Sequence, residues 1–322
     1  MKSTCLFWLR GLVGVGVILM VLYAVDFKEF PRVSEIKIGY LLFAAFLVLS
    51  ERVISAWKWH LLIVSQDMDI SFKDLLNIYF KSLFVGLVIP SSAGGELLKG
   101  YSLVRFGSTV IDSFSSVVME RTLGLVALTS ICLSSFGLFW DSIEGIATVV
   151  SVRNVAIMCF LVSVLVIAGG CVLYPGKTWL ARATAKNMSV WRQQIWAAFW
   201  YYRNVKAKLY VAVVLSFLVQ FNRILFVYFV GMSVGITLGL PYYFVFVPVV
   251  VLASVIPLSV AGVGFQEGAF VYLFGLSGTS PAQILGMALL VRLLTIVSVL
   301  PGGFFYLKEG LSPMPGKTVS QK

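Results

Sequence analysis

The stretch "VIPSSAGGELLKG", residues 88–100, interrupts a long apolar region of the chain. Pro90 removes a backbone donor, and Gly94 and Gly95 free the backbone, so an α-helix is expected to break here. A carboxylate, that of Glu96, follows the break directly. A second apolar region is interrupted in the same way by "PLSVAGVGFQE", residues 257–267, which also ends in a glutamate. The two breaks predict membrane segments that carry polar groups into the bilayer.

The composition predicts an all-α, polytopic membrane protein with a single membrane domain over residues 1–322. The chain is 59% hydrophobic and 12% charged, with a mean hydropathy of +0.96, whereas soluble domains are about 25% charged. The net charge of +11 does not predict nucleic-acid binding, because no segment is long and polar enough to form a solvated basic surface. His60 is the single histidine and the four cysteines lack paired spacing, so no metal, cofactor or catalytic residue is expected.

Apolar runs of about 20 residues predict spanning helices. Six are found, over residues 6–25, 36–57, 109–139, 153–173, 209–235 and 282–307. The two interrupted regions, 71–107 and 241–280, are expected to form re-entrant hairpins, each made of two half-helices that meet at a break inside the membrane. The alternative is an ordinary short loop between full spans.

The distribution of basic residues predicts the orientation. With both termini in the cytoplasm, 17 of the 25 Lys and Arg residues are cytoplasmic, which places the protein in the cytoplasmic (inner) membrane. Residues 174–208 carry seven of these cations, four tryptophans and no acidic residue. This segment is expected to be an interfacial helix that binds anionic lipid on the cytoplasmic face.

Charged residues inside the predicted membrane segments recur at one sequence offset. The residue numbers of Arg52 and Arg223, of Glu96 and Glu267, and of Arg121 and Arg292 all differ by 171. This offset predicts two repeats, residues 1–140 and 153–307. Because each repeat has three full spans, an odd number, the second copy is expected to be inverted, as in many secondary transporters.

The buried charges and the breaks form the predicted substrate site. Four unpaired charges at helix centres would cost on the order of 10 kcal/mol, so Glu96, Arg121, Glu267 and Arg292 must pair or face water. In one alternative they only lock each hairpin to the next helix; in the other the arginines also bind an anionic headgroup through their bidentate fork. Arg52 and Arg223 are weaker candidates, and Arg52 is alternatively placed near the inner interface beside Glu51. The break residues complete the site: Ser92, Gly94, Gly95, Ser259 and Gly262.

Several of these motifs together resemble a known family. "PSSAGGELLKGYSLVRFG", "MERTLGLVAL", "PLSVAGVGFQEGAFVYLFGLSG" and "ALLVRLLTIVSVLPGGFFYL" are similar to the lysylphosphatidylglycerol synthase transmembrane-region family, a flippase-like membrane domain. The resemblance spans nearly the whole chain and implies a role in moving lipids across the bilayer. Some members fuse this domain to a soluble synthase or glycosyltransferase. Here only the short stretch "KEGLSPMPGKTVSQK" follows Leu307, so the resemblance implies the translocating part.

We therefore expect a protein that translocates an anionic phospholipid or a polyprenyl-linked precursor, and that is not itself an enzyme. The motif GxxxxGK[ST] does not occur, so transport is expected to be downhill or ion-coupled. Two alternatives stay open. One is an intramembrane lipid-modifying enzyme, and the other is a scaffold that holds a peripheral synthase or glycosyltransferase on residues 174–208.

Overall fold

The computed structural model describes residues 31–66, 68–88, 94–143, 205–255 and 264–309, together with residues 150, 153, 154, 157, 158, 160, 161 and 202. Within these residues the chain forms eight α-helices of more than ten residues and no strand. They are α1 (Ile38–Val64), α2 (Phe72–Val88), α3 (Gly94–Arg105), α4 (Val110–Leu138), α5 (Lys206–Ser233), α6 (Leu240–Val255), α7 (Phe265–Gly275) and α8 (Pro281–Glu309). A 3₁₀ turn, Val33–Glu35, precedes α1, and a single helical turn, Trp140–Ile143, follows α4.

Of the described helices, four are long and apolar enough to cross a membrane: α1, α4, α5 and α8. Each has 27 to 29 residues, or about 40 Å at 1.5 Å per residue, against a hydrocarbon core of about 30 Å. They confirm four of the six predicted spans and make the chain a multi-pass membrane protein. The predicted span 6–25, and most of 153–173, lie outside the described residues.

The two interrupted regions each contain two shorter helices. Helices α2 and α3 have 17 and 12 residues, and α6 and α7 have 16 and 11. All four are shorter than the roughly 20 residues that a span needs. The breaks themselves, residues 89–93 and 256–263, lie outside the described part of the chain.

Helices α1 and α5 pack against each other in opposite directions. At one end the Lys37 amide donates to the Ser233 carbonyl (2.9 Å), and at the other Lys208 Nζ donates to the Val64 carbonyl (3.2 Å). Lys206 and Lys208 lie in the first turn of α5. Residues 206–208, the end of the segment 174–208 that the sequence predicts to be interfacial, therefore belong to α5. The rest of that segment up to residue 201 lies outside the described residues.

Helix boundaries repeat at the offset found in the charges. The first residues of α3 and α7 are related by the offset of 171, and so are both the first and the last residues of α4 and α8. The turns after α3 and α7 each contain a glycine with positive φ, Gly107 (91°) and Gly278 (80°), a conformation that favours glycine. The offset of 171 therefore relates helix ends and turns as well as charged residues.

Candidate functional site

The first predicted pair, Glu96 and Arg121, is formed where α3 meets α4. Glu96 lies in the first turn of α3, and the Arg121 guanidinium donates to it from the first half of α4. Gly95 allows this placement, because a Cβ there would lie 2.6 Å from the Ser82 carbonyl of α2. The Arg121 side chain is 64% exposed despite the pair, so part of its guanidinium is accessible to a ligand.

Lys99 lies one turn beyond Glu96 and was not among the predicted site residues. Its Nζ donates to Glu120 at 3.0 Å and lies 3.9 Å from Glu96. It also lies 5.2 Å from the ring centroid of Trp59 and 4.5 Å from that of Tyr79, within cation–π range. The signals were in the sequence, since Glu96 and Lys99 are spaced i, i+3 on one helix face and Glu120 immediately precedes Arg121.

Helix α1 adds three charged residues, Glu51 and Arg52 at its middle and Lys58 in its last third. Lys58 is buried and donates to the Glu120 backbone carbonyl at 3.4 Å. Glu51 is buried between two arginines: Arg223 of α5 donates to it, and Arg52 lies 3.8 Å away. Arg52 is the fifteenth residue of α1 and donates from Nε to Ser298 Oγ of α8 (3.3 Å). It lies at the middle of α1, and the alternative that places it near the inner interface stays a prediction.

A cavity of about 250 Å³, the first cavity, opens among these residues. Glycine and aliphatic residues of α2, α3 and α8 form the rest of its wall. Its polar lining consists of Arg52, Ser82, Glu96, Lys99, Arg121 and Thr295. Drug-sized ligands occupy pockets of roughly 300–1,000 Å³, so this volume suits a headgroup better than a whole lipid.

The second predicted pair, Glu267 and Arg292, is more enclosed. Arg292 donates from Nε to one oxygen of Glu267 and from Nη2 to the other, the second at 3.1 Å. Glu267 Oε2 also accepts from the Gly264 amide (2.9 Å) and so caps α7. The Arg292 side chain is 20% exposed, less than a third of the value for Arg121. The fork formed by Nε and Nη2 of Arg292 is therefore occupied by Glu267.

A second cavity, of about 220 Å³, lies beside α6 and α7 and shares Arg52 and Thr295 with the first. Its polar lining also includes Glu51, Arg223, Ser254 and Gln266, but most of its wall is apolar. The offset of 171 maps Lys58, Lys99 and Glu120 onto Phe229, Phe270 and Val291. The two halves therefore share their Glu–Arg pairs and differ in the further charges around them.

The structure brings most predicted site residues into one region of the bundle. Glu96, Arg121, Arg52 and Gly95 line the first cavity, Arg223 lines the second, and Gly94 begins α3. Glu267 and Arg292 pair in the second half. Ser92, Ser259 and Gly262 lie outside the described residues.

Comparison with known proteins identifies the family. The sequence model described as the lysylphosphatidylglycerol synthase TM region matches residues 7–303. The chain belongs to this family. No curated protein matches the chain. Membership confirms the resemblance seen in the motifs and places the chain among membrane-embedded, lipid-related proteins. The matched residues include those that line both cavities and all the charged residues of the site described above.

Proposed function

We propose that the protein translocates an anionic lipid, or a lipid-linked precursor, across the cytoplasmic membrane and binds its headgroup in the first cavity. The observation that carries the proposal is an excess of cations inside the bundle. Five cations are joined to three carboxylates by ion pairs, hydrogen bonds and shared cavity walls. The cations are Arg52, Lys58, Lys99, Arg121 and Arg223, and the carboxylates are those of Glu51, Glu96 and Glu120.

An unbalanced charge in a membrane interior is costly, at about 2.5 to 3.5 kcal/mol per residue on insertion scales. An anionic headgroup would supply the missing negative charge. Arg121 suits this role because it is already held by Glu96 yet largely exposed. A guanidinium binds phosphate with two parallel hydrogen bonds.

The fold supports transport through an inverted repeat. The related helices α1 and α5 run antiparallel, and the ends of α3, α4, α7 and α8 repeat at one offset. In this proposal the hairpins α2–α3 and α6–α7 enter the membrane from opposite sides and meet near its midplane. Transporters with such repeats expose a central site to each side in turn.

The proposal is tested with purified protein in liposomes that contain a trace of fluorescent phosphatidylglycerol or fluorescent phosphatidylcholine. Dithionite quenching of the outer leaflet measures the rate at which the inner-leaflet lipid appears outside. We expect the protein to move phosphatidylglycerol across the bilayer much faster than this lipid moves in protein-free vesicles. We also expect it to move phosphatidylglycerol faster than phosphatidylcholine. Arg121→Gln should abolish most of this acceleration, whereas Arg105→Gln, on the exposed end of α3 and outside both cavities, should retain it.

The rival functions give different results in the same vesicles. An enzyme would convert the lipid to a product that mass spectrometry detects, without accelerating its movement. A scaffold would do neither, and in cells its function would depend on residues 174–208 but not on the buried charges. Failure to accelerate any anionic lipid would contradict the proposed function.

A further inference from the structure

We infer that the first cavity selects a headgroup with two negative charges, such as a phosphate monoester or a diphosphate, over a phosphodiester with one. This inference rests on the proposed function and narrows its substrate class. It comes from the difference between the two halves of the molecule. The Glu–Arg pairs are common to both halves, so the additional information comes from the charges around the first pair. These are Lys58, Lys99 and Glu120, found in the first half alone, and Glu51 between Arg52 and Arg223.

The second pair is neutral and self-contained. Glu267 receives both Nε and Nη2 of Arg292 and the amide of Gly264. Around it the offset places Phe229, Phe270 and Val291 where the first half has Lys58, Lys99 and Glu120. The second half therefore adds no charge beyond its pair at these three positions.

The first half, by contrast, holds three further buried charges, two of them positive. Lys99 contacts the carboxylates of Glu96 and Glu120, whereas Lys58 donates to the backbone carbonyl of Glu120. Arg52 of α1 and Arg223 of α5 share the carboxylate of Glu51. Among the described residues, Lys58 and one of the two arginines therefore have no carboxylate of their own, which gives a surplus of two positive charges.

The geometry directs this surplus to the first cavity. Arg52, Lys99 and Arg121 come from three different helices, and all three line its wall. Glu96, the carboxylate on the same wall, contacts Lys99 and Arg121. The wall of the first cavity therefore carries three cations against one carboxylate.

Charge matching in a region of low dielectric favours a ligand that neutralises the whole surplus. A phosphodiester headgroup would leave one positive charge uncompensated, whereas a monoester or diphosphate would leave none. The second pKa of a phosphate monoester is about 6, so such a group carries nearly two charges at neutral pH.

The test uses two probes with the same chain: dodecyl phosphate and its methyl ester, a phosphodiester. Binding to the full-length protein in nonionic detergent at pH 7.5 is measured by titration calorimetry. We expect dodecyl phosphate to bind at least tenfold more tightly. Arg121→Gln should reduce this preference to less than threefold. Arg121→Lys keeps the charge and loses the fork, so it should keep the tenfold preference but bind both probes more weakly. Arg105→Gln, which removes a cation from the same hairpin outside the cavity, should leave the preference at tenfold.

Equal binding of the two probes to the unaltered protein would overturn the inference, as would a tenfold preference that survives in Arg121→Gln. The liposome assay separates this result from the proposed function. Movement of phosphatidylglycerol without a charge preference in binding overturns the inference alone. A charge preference in binding without movement of any anionic lipid overturns the proposed function and leaves the site as a receptor for dianionic headgroups.

Discussion

Lys99 of α3 donates to Glu120 of α4 across 3.0 Å, and both side chains are less than one-tenth exposed. The pair joins α3 to the following long helix, α4. Two aromatic rings, those of Trp59 and Tyr79, contact the same ammonium group. The ion pair is thus part of the core of the first half, and its Lys99 also lines the first cavity.

Removing one partner of this pair should destabilise the protein. Lys99→Met leaves Glu120 buried without its ammonium partner, a change that typically costs about 3–5 kcal/mol. The double variant Lys99→Met/Glu120→Gln removes both charges, so we expect it to recover most of the lost stability. Thermal unfolding in detergent and abundance in the membrane measure both effects. A double variant no more stable than the single one would show that the packing of Lys99, rather than its charge, holds the hairpin.

Gly95 should be intolerant of even a methyl group. A Cβ at this position would lie 2.6 Å from the Ser82 carbonyl, so Gly95→Ala must push α3 away from α2 and displace Glu96. We expect a loss of about 1–3 kcal/mol from overpacking and a lower translocation rate. Gly137→Ala is the matched control, since nothing lies within 4 Å of its Cβ and helical Gly→Ala stabilises by about 0.5–1 kcal/mol. Equal unfolding temperatures for the two variants would disprove the close contact.

The Glu267–Arg292 pair should be replaceable as a unit. Arg292→Lys is expected to be impaired, because one ammonium cannot reproduce the two donors that contact the two Glu267 oxygens. Glu267→Gln/Arg292→Leu should recover both abundance and translocation in large part, because a neutral pair replaces a buried ion pair at little cost. The translocation rate in the dithionite assay and the abundance in the membrane are measured for each variant. An inactive double variant at normal abundance would show that Arg292 also binds the headgroup, the second of the two alternatives that the sequence leaves open.

Orientation of the two hairpins can be determined with single cysteines. Ser108 and Thr279 are related by the offset of 171 and lie in the turns after α3 and α7. In a background without Cys5, Cys132, Cys159 and Cys171, an impermeant maleimide should label Ser108→Cys only from the cytoplasm and Thr279→Cys only from outside. Labelling of both from one side would exclude the inverted repeat, whatever the function.

The basic segment before α5 should bind anionic membranes. A peptide of residues 176–208 carries seven cations, each contributing about 1 kcal/mol near a charged surface. Circular dichroism should show more helix on vesicles with anionic lipid than on neutral vesicles. The same helix content on both would limit the attachment to the tryptophans.

Local features of the sequence determined the class of the protein and much of its plan. Apolar runs, helix breaks and charge spacing act over a few turns of chain, so they located four spans, the two interrupted regions and the repeat offset. They also identified Glu96, Arg121, Glu267 and Arg292, because a charge in an apolar run is visible without knowing its neighbours.

Beyond the two predicted Glu–Arg pairs, only the tertiary structure decided which charges meet. Lys58, Lys99 and Glu120 come from three helices, and Glu51 of α1 pairs with Arg223 of α5, far along the chain. Such contacts depend on the faces that packed helices turn toward each other, and sequence spacing within one helix does not specify the partner helix. The same packing left Arg121 accessible and enclosed Arg292. The two residues have identical chemistry and are related by the offset of 171, so this difference comes only from the side chains around them.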